Sequence, residues 1–294
     1  MIQYHISINK YKNAEGKTMP AKKKTKSTKT AATYKNELGL PLTDPVEIAQ
    51  DICWTAWDID SSTVGGKKER ERLVKEALQY DENCTDAYCI LASESSNAED
   101  KLRYALKAKE SFESTHDASY FKENEGIFYG VLETRPYMRA LWYYADALLD
   151  IDKNNAAETM QYMLRLCPND NLGIRYRLIN LFIAMKDFVA ARKLLKAHPG
   201  DAGVEMIYGA LLLLFAENNS DKKTIARAYK KAKERNPFVP AYLLGKKNVS
   251  GEENEYIAMG SEDEAALYAR DNKILWEQFP TALDFFKEAD RESL

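Results

Sequence analysis

From residue 45 onward, apolar residues recur along the chain at spacings of three and four, the signature of one-sided helices, and short polar breaks rich in proline, glycine, aspartate and asparagine separate them. Thr43-Asp44-Pro45 supplies a cap and a first-turn proline, and Val46, Ile48, Ala49, Ile52, Cys53 and Trp57 follow as the first helix. After Val64-Gly65-Gly66, read as a break, a second helix is expected from Lys67 to Tyr80 with Leu73, Ala77 and Leu78 on its inner side. Another is expected around Ala87 to Ala92, and a further one from Ala98 to Phe112 turns Leu102, Ala105, Leu106 and Ala108 inward. Pro136 starts the most apolar helix, Tyr137 to Leu149, and Ala156 to Leu166 is its partner.

The stretch Met163 to Phe182 organises the rest. Its first helix ends at Pro168, which removes an amide donor and clashes with the preceding turn, and Asp170 or Asn171 caps the next helix. Leu178 to Met185, Val204 to Ala216 and Thr224 to Arg235 continue the pattern, closed by Asn236-Pro237 much as the earlier pair closes at Cys167-Pro168. Phe238 to Gly245 allows only a short helix, and 246–260 reads as loop. Ser261-Glu262-Asp263-Glu264 reads as a capping box ahead of helices through Tyr268 and Trp276 and from Thr281 to Glu288.

Turns this short force consecutive helices against each other, and a recurring hairpin that cannot cover its own apolar side must stack on its neighbours. The expected fold is therefore all-α: a right-handed α-solenoid of about five stacked helix hairpins with a C-terminal capping region. Residues 1–40 are expected to be a disordered lysine-rich arm, 41–245 the helical-repeat domain, and 246–294 a loop with capping helices. Residues 113–135 fit no repeat phase. They form an insertion, to be read either as a functional element on one face or as a structural plug.

The formal net charge of −3 conceals an uneven distribution. Residues 1–35 hold nine lysines against the single acid Glu15, a net of +8, which leaves −11 for the remainder. The run Ala-Lys-Lys-Lys-Thr-Lys-Ser-Thr-Lys-Thr has too little apolar surface to offset the entropy of folding. It is expected to be a solvated arm or, in the alternative reading, a nucleic-acid contact through Lys22, Lys23, Lys24, Lys26 and Lys29. Met19, just before this run, is an alternative start to Met1. No apolar run reaches membrane-spanning length, the longest being Met206 to Ala216, and no signal-peptide core opens the chain, so a cytoplasmic protein without membrane contact is expected. Cys53, Cys84, Cys89 and Cys167 lack Cys-x-x-Cys spacing and read as reduced structural thiols.

Several segments carry a family resemblance. Ala77-Leu78, the acidic turn at 81–83, and Asp86-Ala87-Tyr88 with Leu91-Ala92 resemble the tetratricopeptide repeat (TPR), as does Lys186-Asp187-Phe188-Val189-Ala190-Ala191. Asp86-Ala87-Tyr88 with Leu91-Ala92, Ala105-Leu106-Lys107-Ala108, Asn236-Pro237-x-Val239-Pro240-x-Tyr242-Leu243-Leu244, and Gly260-Ser261-Glu262-Asp263-Glu264-Ala265 before Tyr268-Ala269 and Trp276 are similar to the suppressor of tumorigenicity 7 family, itself TPR-like. The resemblance covers about residues 45–280. It implies a helical-repeat protein with no established catalytic role; animal members are membrane proteins, whereas this chain has no spanning run.

Chemical signatures are sparse. His5, His116 and His198 lie far apart with no partner at metal or acid–base spacing, and Gly65-Gly66 belongs to no phosphate-binding pattern. Asp58 with Asp60 and Glu123 with Glu125 are carboxylate pairs of a kind that chance supplies in a chain with 30% charged residues. The expectation is a protein that is not an enzyme and needs no cofactor or metal. In a stack of hairpins the first helix of each pair lines a concave groove, and there Arg135, Arg139, Tyr143, Arg175, Tyr176 and Asn180 are expected to form a basic, aromatic set. Such a set suits a protein or extended peptide, an acidic one included, held by bidentate hydrogen bonds and flat apolar contact. The competing reading pairs these arginines internally with Glu123, Glu125 and Glu133 and places the tyrosines in the core. The expected function is thus a non-catalytic scaffold or adaptor. The alternatives are a nucleic-acid-associated regulator acting through the lysine arm and an enzyme whose site lies in 113–135.

Overall fold

Helix α1, Pro45–Trp57, starts where an acceptor meets an orphan amide: the Asp44 carboxylate takes the Val46 N–H at 2.9 Å, and Pro45 has no amide to satisfy. Helix α2, Val64–Tyr80, begins earlier than its glycines suggest. The Thr63 hydroxyl accepts from the Gly66 amide at 3.0 Å, so Gly65 and Gly66 lie inside the first turn and do not form a break. Gly66 is required there, since a Cβ would stand 1.8 Å from the Asp60 carbonyl oxygen. Helices α3 (Thr85–Glu94) and α4 (Ala98–Thr115) follow, the latter capped by Asn97 at the Asp100 amide. Then come α5 (Ala118–Asn124), a 3-10 turn at Leu132–Thr134, α6 (Arg135–Leu148), α7 (Lys153–Leu166), α8 (Ile174–Ala184), α9 (Phe188–Ala197), α10 (Val204–Ala216), α11 (Lys222–Arg235), α12 (Val239–Leu243), α13 (Glu262–Glu277) and α14 (Pro280–Arg291).

This computed structural model describes residues 34–35, 41–218, 221–248 and 257–291. Among them the only extended pairing is an isolated bridge between Lys35 and Pro41, so the described chain is all-helical. The lysines at 22, 23, 24, 26 and 29, and most of the arm and of the 246–260 loop, lie outside the described residues. No described helix is long and apolar enough to cross a membrane.

The chain divides into two compact units, one comprising Met1–Thr159 with Arg165–Cys167, the other Met160–Leu164 with Pro168–Leu294. In the first, α1 packs on α2, α2 on α3, α3 on α4, and α6 on both α3 and α4. Ile48, Ile52 and Ala56 of α1 meet Val74 and Ala77 of α2 and Ala87 and Ile90 of α3 in one buried cluster. Burial of each large aliphatic side chain there contributes about 1.5–3 kcal/mol, and the wholly buried Ala77, Ala87, Ala105 and Ala108 leave room for neighbouring helices to approach. Cys53, Cys84, Cys89 and Cys167 are free and buried; the Cys53 and Cys84 sulfurs lie 3.6 Å apart, and their mutual hydrogen bond, with burial, holds the Cys53 thiol far above its usual range.

Part of the 113–135 segment packs on its neighbours through its rings, while Ile127 and Leu132 stay exposed. Phe112, His116, Tyr120, Phe121, Phe128 and Tyr137 form a continuous group of rings with centroids 4.0 to 6.2 Å apart, and Phe128 is fully buried. The Phe128 amide donates to the Leu166 carbonyl at 3.1 Å. Here Tyr137 donates to Glu113 at 2.6 Å, while Gly126, at φ 90°, supplies the left-handed residue the turn needs.

In the second unit the turn before α8 is closed by Asp170, itself at φ 50°. One carboxylate oxygen accepts from the Ile174 amide at 2.7 Å and the other from Arg175 at 2.9 Å, so the cap reaches over a left-handed Gly173. Helix α10 packs on α8, α9 and α11, and α13 touches α8, α10, α12 and α14. Tyr208 of α10 donates to the Asn236 carbonyl at 2.6 Å and lies 5.6 Å from the Tyr268 ring, while Trp276 donates to the Tyr268 hydroxyl at 2.9 Å. Phe285 and Phe286 of α14 close on Tyr229, Phe215 and Trp276.

Candidate functional site

The six groove residues divide between the units, Arg135, Arg139 and Tyr143 in the first and Arg175, Tyr176 and Asn180 in the second, and each set stands by itself. In the first unit Asp86 sits in the opening turn of α3 with no exposed surface. Arg139 of α6 meets it through two parallel bonds, Nε to Oδ1 at 2.7 Å and Nη2 to Oδ2 at 2.5 Å, and Gln50 of α1 adds a third at 2.7 Å. The bidentate form fixes direction as well as distance, which a lysine there would not do. Helices α1, α3 and α6 are therefore joined through one carboxylate. Arg135 donates to the Tyr129 carbonyl at 3.1 Å and lies 5.1 Å from the Tyr129 ring, and Tyr143 is buried.

In the second unit Arg175 is shared among three partners. It donates to Asp170 at 2.9 Å, to the Tyr176 hydroxyl at 2.7 Å and to Asp201, with which it also forms an ion pair. Burial pulls Asp201 upward, but the Gly203 amide and Arg175 outweigh it and leave that carboxyl below the usual range; Asp170 stays above it, burial winning over its amide and arginine donors. Asn180 donates to Asn272 of α13 at 2.6 Å, and Asn272 donates on to the Tyr268 carbonyl at 2.9 Å.

Arg139 and Arg175 thus pair with internal carboxylates, Asp86, Asp170 and Asp201, where the competing reading named Glu123, Glu125 and Glu133, and Arg135 meets the Tyr129 carbonyl. Asp86, Asp201 and Gln50 did not stand out in the sequence as site residues. For the two aspartates the signal was an acid beside a helix start, a position acids occupy in any helical protein, and Gln50 is an ordinary mid-helix amide.

Glu205 also escaped sequence reasoning. It lies in the first turn of α10, is partly buried, and leans on its own backbone amide without a hydrogen bond from another described residue. Burial, reinforced by Glu264 and Asp271 and opposed by Arg235, pushes its carboxyl up to about 7. Nearby Glu264 is heavily engaged: it accepts two bonds from Arg235 at 2.7 and 2.5 Å, one from the Asn236 side chain at 2.9 Å and one from the Gly260 amide at 2.8 Å.

Among the described residues no group of three or more His, Cys, Asp or Glu is placed to hold a metal ion. No family model, curated protein or solved structure matches this chain.

Proposed function

We propose that the chain is a non-catalytic, partner-binding scaffold or adaptor, built as a right-handed α-solenoid of tetratricopeptide-like hairpins resembling the suppressor of tumorigenicity 7 family. The observation that carries this reading is the serial packing inside the first unit: α1, α3 and α6, the opening helices of successive hairpins, lie side by side, each backed by a second helix or its neighbour. Side-by-side opening helices give a partner a ribbed surface whose side chains repeat at helical spacing, and the buried alanines at the crossings support the repeat interpretation.

The aspartates at Arg139 and Arg175 alter the expected role of those arginines. Each guanidinium is already neutralised, so in this reading they hold the opening helices in register and the partner meets the side chains between them. The test is cross-linking mass spectrometry on the intact protein with its co-purified partner. Cross-links clustered on α1, α3, α6, α8 and α10 are expected, and cross-links confined to α9, α11 and α14 would refute the reading.

The second reading, a nucleic-acid contact through the lysine arm, rests on nine lysines against one acid in residues 1–35. Phosphate binding of that kind falls steeply with salt and disappears on deleting residues 1–40, whereas hairpin-surface binding survives both.

A further inference from the structure

Within the second unit, side chains around the start of α10 offer many acceptors and few uncommitted donors. From α8, Tyr176 brings its ring so close to Gly203 that a Cβ there would lie 2.4 Å from it, and it feels the Glu205 charge. Asn180, one turn further along α8, has its Oδ1 wholly buried and without a hydrogen bond; it faces α10 at Gly209, one turn beyond Glu205. From α13 come Glu264, Tyr268 and Asp271, and from the end of α11 comes Arg235.

Both nearby cations are committed. Arg235 is held by both oxygens of Glu264 and by the Ala202 carbonyl, and Arg175 by Asp170, Asp201 and the Tyr176 hydroxyl. What remains is the Glu205 carboxylate, the Asn180 oxygen and tyrosine faces, with Asp271 adding negative charge. Buried acceptors without donors are uncommon, because each loses its hydration without recompense. Acceptors beside aromatic faces are also the surroundings that a desolvated cation prefers.

We propose that Glu205, beside the Tyr176 ring, forms a socket for one cationic group, the ammonium or guanidinium of a lysine or arginine side chain presented by the protein partner, with the buried Asn180 amide oxygen behind it adding negative potential. This rests on the partner-binding reading and sharpens it: the partner segment seated on the second unit is basic, not acidic. It also makes engagement proton-linked. Below about pH 7 the Glu205 acid is neutral and attracts no cation; above it the carboxylate is charged, and a seated cation pulls its midpoint down. Glu264, Asp271 and Arg235 face the same carboxyl, and Arg235 works in the opposite sense to the two acids.

The test uses the full-length protein labelled with 13C at glutamate side-chain carboxyls, the Glu205 signal being assigned by its loss in Glu205→Gln. The probe is tetralysine amide, with tetra(Nε-acetyl-lysine) amide as the uncharged control. The expected result is a Glu205 midpoint near 7 in the free protein, lowered by one pH unit or more, a tenfold change, by saturating tetralysine but not by the acetylated control. Calorimetric affinity for tetralysine should fall at least about fivefold from pH 8 to pH 5.5 and by a similar factor in Glu205→Gln at pH 8. Glu99→Gln, an exposed acid of the first unit, should leave it unchanged. A Glu205 signal unmoved at saturation, equal affinity in Glu205→Gln, or a free midpoint at the ordinary glutamate value would overturn the proposal. The wild-type titration stands even if the variant folds poorly. A silent Glu205 alongside cross-links on the opening helices removes the socket alone; a responsive Glu205 alongside cross-links elsewhere removes the scaffold reading and leaves a cation site.

Discussion

Two acids, Asp86 in the first unit and the partly buried Glu205 in the second, are treated in opposite ways. Asp86 in the first unit loses all contact with water and regains three side-chain donors, two of them from one guanidinium. Arg70 in the same unit is likewise covered and fully engaged, donating to Glu94 at 2.6 Å and to the Trp57 and Ile59 carbonyls. Glu205 in the second unit loses much of its hydration and gains nothing but its own amide. A compensated buried charge ties helices together and tolerates no loss of its partner. An uncompensated one weakens the fold where it sits, which is the usual mark of a group kept for something other than stability.

The largest effect that would break this contrast is expected from Arg139→Leu. It strands Asp86 without its main donors and should cost about 3–5 kcal/mol in urea unfolding at neutral pH, with most of it regained in the double variant Asp86→Leu/Arg139→Leu. A cost under about 1 kcal/mol would mean that Gln50 alone satisfies the aspartate and that Asp86 and Glu205 do not differ in this way.

Glu205→Gln should act in the reverse direction. The folded midpoint of about 7 lies above the ordinary 4.5, so between those values the native chain keeps a proton that the unfolded chain has released. Native stability from this group therefore declines as pH rises from about 4.5 to 7 and stays low above that. The glutamine variant escapes the decline: it should match the wild type at pH 4 and exceed it by roughly 2 kcal/mol at pH 8, after allowance for the residue's partial exposure. Unfolding curves at the two pH values read the sign directly.

A smaller comparison sets Gly66 against Gly203. An added methyl meets backbone at Gly66, the Asp60 carbonyl at 1.8 Å, but a tyrosine ring at Gly203. Gly66→Ala should cost about 1–3 kcal/mol, and Gly203→Ala less, because Tyr176 can swing aside. Thermal melts of both variants decide the order.

Local signals in the chain were legible. Asp44-Pro45, the Asn236-Pro237 stop and the Ser261 cap all act through neighbours within a few residues, the range over which a sequence can be read by eye. Even there, long-range partners redirected details. Glu264 takes the Gly260 amide, one residue before the position a capping box usually serves, because Arg235 and Asn236 draw the same carboxylate. Thr63 and the Asp60 carbonyl turned two apparent helix-breaking glycines into a first turn. The candidate arginines were found by their place on opening helices, but their partners were not. Arg139 and Asp86 are 53 residues apart, and no periodicity links them. Glu205 was invisible for a related reason: its character depends on the donors its surroundings fail to provide.

The placement of the four tryptophans gives the two units separate optical signatures. Trp54, Trp57 and Trp142 belong to the first unit; Trp276 is alone in the second, sealed against Tyr268 and Phe286. With the first three changed to phenylalanine, emission at long wavelength would follow Trp276 alone, so wetting of the second unit could be timed by stopped-flow fluorescence while the first stays dark.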